Sequence, residues 1–136
     1  MNKVEQISNA LTRPETEVLS EVETVTDFLK ESYVYVHCHL PHVEPGMLVR
    51  IWKTTFLRDL DSPGKSELVH AENISYAPQW TMIGDSPSYS FLLIFSALPK
   101  SCTRFELVEE IPQPGGFHVS NIQRNKTDVY NVILSD

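Results

Sequence analysis

The sequence predicts an all-β fold, an antiparallel two-sheet sandwich of immunoglobulin-like or jelly-roll type, and three observations carry that prediction. First, apolar side chains recur at the two-residue period of a pleated strand: Phe91, Leu93 and Phe95; Phe105, Leu107 and Ile111; Tyr130, Val132 and Leu134. Second, these runs are separated by turn-forming clusters, Asp61-Ser62-Pro63-Gly64, Gly84-Asp85-Ser86-Pro87-Ser88, Pro112-Gln113-Pro114-Gly115-Gly116 and Asn125-Lys126-Thr127-Asp128. Third, no segment carries a long, uncontested helical stripe. About seven or eight short strands punctuated in this way are the pattern of a sandwich or a Greek-key barrel.

The elements follow in order. Residues 1–16 are polar and small, contain Pro14, and read as an N-terminal arm; residues 17–136 read as the sandwich domain. Glu17 to Leu29 fits a strand through Val18, Val22, Thr24, Thr26 and Phe28 and a helix through Val18, Val22, Val25 and Leu29; its Val and Thr content favours strand. Tyr33 to Leu40 alternates cleanly, with Val34, Val36, Cys38 and Leu40 on a core face and Tyr33, Tyr35, His37 and His39 opposite. Met47 to Leu57 reads as a third strand, with Val49 and Ile51 on one side and Arg50, Trp52 and Phe56 on the other. Leu68 to Tyr76 and a short Trp80 to Ile83 follow. Tyr89 to Leu98 is apolar on both faces, the mark of a strand covered on both sides or placed at a subunit contact. Phe105 to Ile111 sets Arg104, Glu106 and Glu110 opposite its apolar residues, so that side is expected to face water. Phe117 to Arg124 and the final strand to Leu134 complete the set.

Composition bounds the function. A chain of 136 residues, 41% hydrophobic and 21% charged, builds one globular core. A formal charge of −7 and no basic cluster longer than Arg124 with Lys126 argue against nucleic acid and anionic membranes as partners. The start has no apolar core of a signal peptide, and no run approaches the ~20 apolar residues of a spanning helix, so a soluble cytoplasmic protein is expected. Cys38 and Cys102 are expected to be free thiols in a reducing compartment.

His37, His39, Glu44 and His118 are the residues whose types suit a metal. On a strand His37 and His39 point to one face, and a carboxylate just beyond could complete a nitrogen and oxygen site for a divalent zinc, iron, nickel or copper ion. The spacing His37-x-His39-x4-Glu44, with Gly115-Gly116-Phe117-His118 later, resembles the first motif of the cupin family, which implies a small metal-dependent enzyme. Alternation argues the other way, since Val34, Val36 and Cys38 claim the inside and leave the histidines out. Cys38 cannot be served as a nucleophile by its neighbours, because adjacent strand residues point to opposite faces. No phosphate-cradling loop, Gly-x-Ser-x-Gly elbow or Cys-x-x-Cys pair is present.

Tyr33, Tyr35, Trp52 and Phe56 share the outward sides of neighbouring strands, and Leu92 sits on the second face of the long apolar strand. Together they outline an interaction surface, unless another layer of the protein covers the rings. The leading expectation is therefore a non-catalytic binding or interaction module needing no cofactor, a homodimer or the binder of a protein partner. A platform for carbohydrate is the third reading. Finally, Leu98-Pro99-Lys100-Ser101 followed by Phe105 and Glu109 resembles segments of β-rich bacterial proteins of Bacteroidetes type, which implies a sandwich and no particular activity.

Overall fold

The structure is a computed structural model and describes residues 32–134. The arm of residues 1–16 and the Glu17 to Leu29 strand lie outside the described residues. Nine strands and no helix are found among them: β1 (Val34–Leu40), β2 (Leu48–Val49), β3 (Phe56–Asp59), β4 (Lys65–Glu72), β5 (Thr81–Met82), β6 (Tyr89–Phe95), β7 (Arg104–Val108), β8 (His118–Gln123) and β9 (Val129–Ile133). No helix there is long and apolar enough to cross a membrane.

The fold is all-β, but its strands do not separate into two antiparallel sheets. Seven form one sheet in the order β8-β7-β3-β4-β6-β1-β9, and β2 and β5 form a separate two-stranded ribbon. Neighbours are antiparallel except β1 and β9, which run parallel. The sheet changes direction at β4. Its first residues, Lys65 to Glu67, pair with β3, whereas Leu68 to Glu72 pair with β6, and the register shifts between Leu68 and His70. A bulge of this kind bends a strand and increases its twist. The consequence is visible across the interior, where Phe105 of β7 meets Tyr130 of β9 edge to face, 5.0 Å between centroids at 83°. Strands near opposite ends of the sheet order thus face each other, and the sheet curls towards a barrel.

Alternation places the core as expected along β1, where Val34, Val36, Cys38 and Leu40 are all no more than 2% exposed. Phe91, Leu93 and Phe95 of β6 and Tyr130 and Val132 of β9 join them on the same interior side. Full burial of a side chain such as Phe95 or Phe105 contributes about 2–3 kcal/mol of hydrophobic stabilisation. Leu92 and Ile94, on the other face of β6, are half-buried.

Three elements differ from expectation. The Met47 to Leu57 strand is broken: Ile51 bridges to Tyr76, and the chain then turns, with Thr55 N and Thr55 Oγ1 both donating to the Trp52 carbonyl at 3.0 and 2.6 Å. The fourth strand starts and ends earlier than Leu68 to Tyr76, because Asn73 takes a left-handed φ of 67° that a strand cannot continue through. Glu106 does not face water. It is 7% exposed on β7, under Arg58 of β3 and His118 of β8.

Candidate functional site

The ribbon of β2 and β5 presents one outward face. Leu48 pairs directly with Met82 and Val49 with Thr81, so the next row brings Arg50 opposite Trp80. Side chains two apart share a face: Val49, Ile51 and Ile83 go to the core, while Leu48, Arg50, Trp80 and Met82 go outward. Leu48 is 44%, Trp80 52% and Met82 68% exposed. The Arg50 guanidinium carbon lies 3.9 Å from the Trp80 ring centroid and 5.5 Å from that of Trp52, so the cation sits between two indoles. One of its five N–H donors, on Nη1, reaches the Pro78 carbonyl at 3.2 Å; it makes no other hydrogen bond to a described residue. Arg50, Trp52, Ala77 and Pro78 line a cavity of about 200 Å³ here.

Glu109 supports this site from behind. Its carboxylate is 7% exposed and accepts the Trp52 amide at 3.0 Å and the Phe117 amide at 3.1 Å. Burial pushes its carboxyl above the usual range, opposed by those two amides and by the charge of Arg50. The turn that ends the β2 segment is therefore fixed by a carboxylate from β7's C-terminal extension.

The four candidate metal ligands are not brought together. His39 lies on the outward face of β1 with Nδ1 2.7 Å from Ser90 Oγ and Nε2 2.9 Å from Asn131 Oδ1. Both ring nitrogens of His39 are thus taken up by hydrogen bonds to side chains on the neighbouring strands. His37 is on the same face, half-buried and level with Leu92 and Asn131. Glu44 is exposed in the turn after β1. His118 is on β8, at the other end of the sheet order, with Nε2 2.7 Å from Glu106 Oε1. Among the described residues no three His, Cys, Asp or Glu side chains are grouped so as to hold a metal ion.

The residues expected to form one interaction surface fall in three places. Tyr33, Tyr35 and Leu92 belong to the outward side of the β1 and β6 region and are all half-buried. Trp52 belongs to the ribbon site. Phe56 points away from the core cluster, as its alternation with Leu57 requires, yet is only 6% exposed. Lys65 Nζ lies 4.4 Å and the Arg58 guanidinium 5.8 Å from its ring centroid, so long cationic side chains roof it and it offers no contact surface. Trp80, Met82, Leu48 and Glu109 are the site residues that sequence reasoning missed. The shared parity of Leu48, Arg50 and Trp52, and of Trp80 and Met82, was the available signal; the register joining the two runs was not.

No family model, curated protein or solved structure matches this chain.

Proposed function

We propose that the protein is a non-catalytic interaction module that self-associates through the outer edge of β9, which has no neighbouring strand among the described residues. The observation that carries this reading is the composition and backbone geometry of that strand at the end of the sheet. Val129 is 41% and Ile133 63% exposed. Tyr35 N donates to the Asp128 carbonyl and Leu134 N donates to the His39 carbonyl, both at 2.8 Å, so the even-numbered residues of β9 face β1. Val129, Asn131 and Ile133 accordingly direct their backbone groups away from β1, to an edge that no described strand occupies. An unpaired edge bearing apolar side chains is a template for another strand. A second copy fits it by symmetry. Antiparallel pairing about Asn131 sets Val129 opposite Ile133 of the other copy and brings the outward amides and carbonyls into register, the Val129 carbonyl, which already accepts from Asn125 Nδ2 at 2.9 Å, using its second lone pair.

The scaffold for this role reads as a sandwich folded from one curled sheet, with β4 as the strand that passes between its halves. Two buried free thiols, Cys38 and Cys102, suit a reducing cytoplasmic setting. The metal-dependent alternative draws no support from the placement of His37, His39, Glu44 and His118.

Sedimentation velocity tests the reading. The wild-type chain is expected to be a dimer and Ile133→Lys a monomer that still melts cooperatively, because a lysine at an exposed edge position blocks strand addition without touching the core. A wild-type protein that stays monomeric up to its solubility limit sinks the proposal.

A further inference from the structure

We infer that the ribbon site is a binding site for a carboxylate-bearing sugar, a hexuronate unit of an acidic saccharide. It is independent of the β9 edge. The argument starts from what the chain exposes. In a molecule of net charge −7, one guanidinium is held between the two tryptophans of the chain, and Trp80 is left half open to solvent. An exposed indole costs hydration free energy, and Trp with Arg is the pair most often found where binding energy concentrates.

The geometry selects the ligand. Arg50 gives Nη1 to Pro78 and has further N–H donors in the plane of its fork, the arrangement that takes a planar carboxylate through two parallel hydrogen bonds. Trp80 is half exposed, and the indole surface that the guanidinium does not cover is flat and apolar, suited to the C–H face of a pyranose ring. The cavity of about 200 Å³ lined by Arg50, Trp52, Ala77 and Pro78 is on the scale of one such unit and is open to solvent, so further units of a saccharide can extend beyond it. Charge argues for a single negative charge. Near the guanidinium, Glu109 is close enough that Arg50 lowers its pKa, and the next cation, Lys53, is 5.2 Å from the Tyr76 ring centroid, over a different aromatic. A phosphate dianion would meet the Glu109 field with one cation to hold it, whereas a carboxylate is matched by Arg50 alone.

Trp52 and Trp80 are the only tryptophans, so tryptophan emission, excited selectively beyond the absorption band of the five tyrosines, reports on this site. The experiment titrates the full chain with trigalacturonate, with the neutral galactose trisaccharide and a glutamate-containing hexapeptide as comparisons. The expected result is saturable quenching by trigalacturonate, absent with the neutral sugar, and weakened about 10- to 100-fold in Arg50→Gln, the cost of a lost charge-assisted pair. Arg50→Lys, which keeps the charge and loses the fork, is expected to recover little of it. Trp80→Ala, at a residue exposed enough to leave folding intact, is expected to abolish binding when read by calorimetry. Equal binding of the neutral sugar, binding of the peptide alone, or no binding of trigalacturonate to a folded wild-type chain each overturns the inference.

Discussion

Two glutamates three residues apart show how strongly a side chain's neighbours set its chemistry. Glu106 accepts from His118 Nε2 at 2.7 Å and from Arg58 Nε at 2.7 Å, and the His118 bond, then Arg58, hold its carboxyl below the usual range. Glu109, with no ion-pair partner in contact, is pushed above that range by burial. The signs of their pH effects are therefore opposite. A lowered folded pKa contributes stability that is present above the unfolded value of 4.5 and lost as pH falls through the folded one. A raised folded pKa contributes most below 4.5 and loses that contribution as pH rises through the folded value. Glu106→Gln is expected to cost about 1 kcal/mol at neutral pH, a modest figure because Arg58 and His118 are half exposed, and the deficit should close towards about pH 4. Glu109→Gln, whose amide offers one acceptor to two backbone donors, is expected to cost about 1–3 kcal/mol, with a deficit that widens over the same interval. Urea melts of both variants and wild type at the two pH values decide it; deficits that move in the same direction contradict the assignment. Alternation in the sequence marked Glu106 as outward, and outward it is; its burial came from Arg58 and His118 on other strands, which no local pattern encodes.

At the scale of elements, legibility followed the range of the forces that end each strand. β1, β6 and β9 were readable because their apolar period is local, and β6 and β9 start directly after turn clusters. The break after Ile51 was not, since the alternation of Val49 and Ile51 runs on in sequence and the stop is made by Glu109, 57 residues away, capturing the Trp52 amide. For the same reason Arg50 and Trp52 were legible as neighbours on one face, and their meeting with Trp80 was not. The ribbon that joins them rests on a close backbone approach. Ile83 N donates to the Met47 carbonyl at 3.0 Å, and a Cβ added at Gly84 would land against Gly46 N and lie 2.7 Å from Met47 N. Backbone cannot yield there as a flexible side chain would. Gly84→Ala is therefore expected to destabilise by about 2–3 kcal/mol and to shift tryptophan emission, because both indoles ride on the displaced segment. Unchanged urea midpoint and emission would show that β2 and β5 do not approach as described.

For the whole molecule, the sheet's connectivity makes one residue a reporter of global opening. The all-β class was legible, though not a two-sheet antiparallel sandwich, and the free state of both cysteines agrees with the sequence; the joining of all seven strands into one curled sheet was not, because it depends on a bulge in β4 and on a parallel β1 and β9 pair that are set by distant partners. That pair leaves β1 an interior strand, hydrogen-bonded to β6 on one side and β9 on the other. Cys38 at its middle is fully buried, and burial pushes its thiol up to about 12. The thiolate is the species that attacks a disulfide reagent, so reaction requires exposure of β1, which is held on both sides by β6 and β9 and is expected to open only with the sheet as a whole. Cys102 is buried too and its thiol is likewise raised by burial, but it follows the Pro99 turn outside any strand, where the Cys102 amide is held by the Pro99 carbonyl at 3.0 Å. Local opening of that turn exposes it without dismantling the sheet. Labelling with a chromogenic disulfide is expected to show two phases, the fast one absent in Cys102→Ser and the slow one absent in Cys38→Ser. The slow phase should lie about three or more orders of magnitude below the free-thiol rate, as an opening of at least ~5 kcal/mol requires. Its rate should also rise with urea with the steep slope of global unfolding. A Cys38 that reacts quickly, or with a urea dependence as shallow as that of Cys102, would mean that β1 opens on one side alone and that the sheet is not a single cooperative unit.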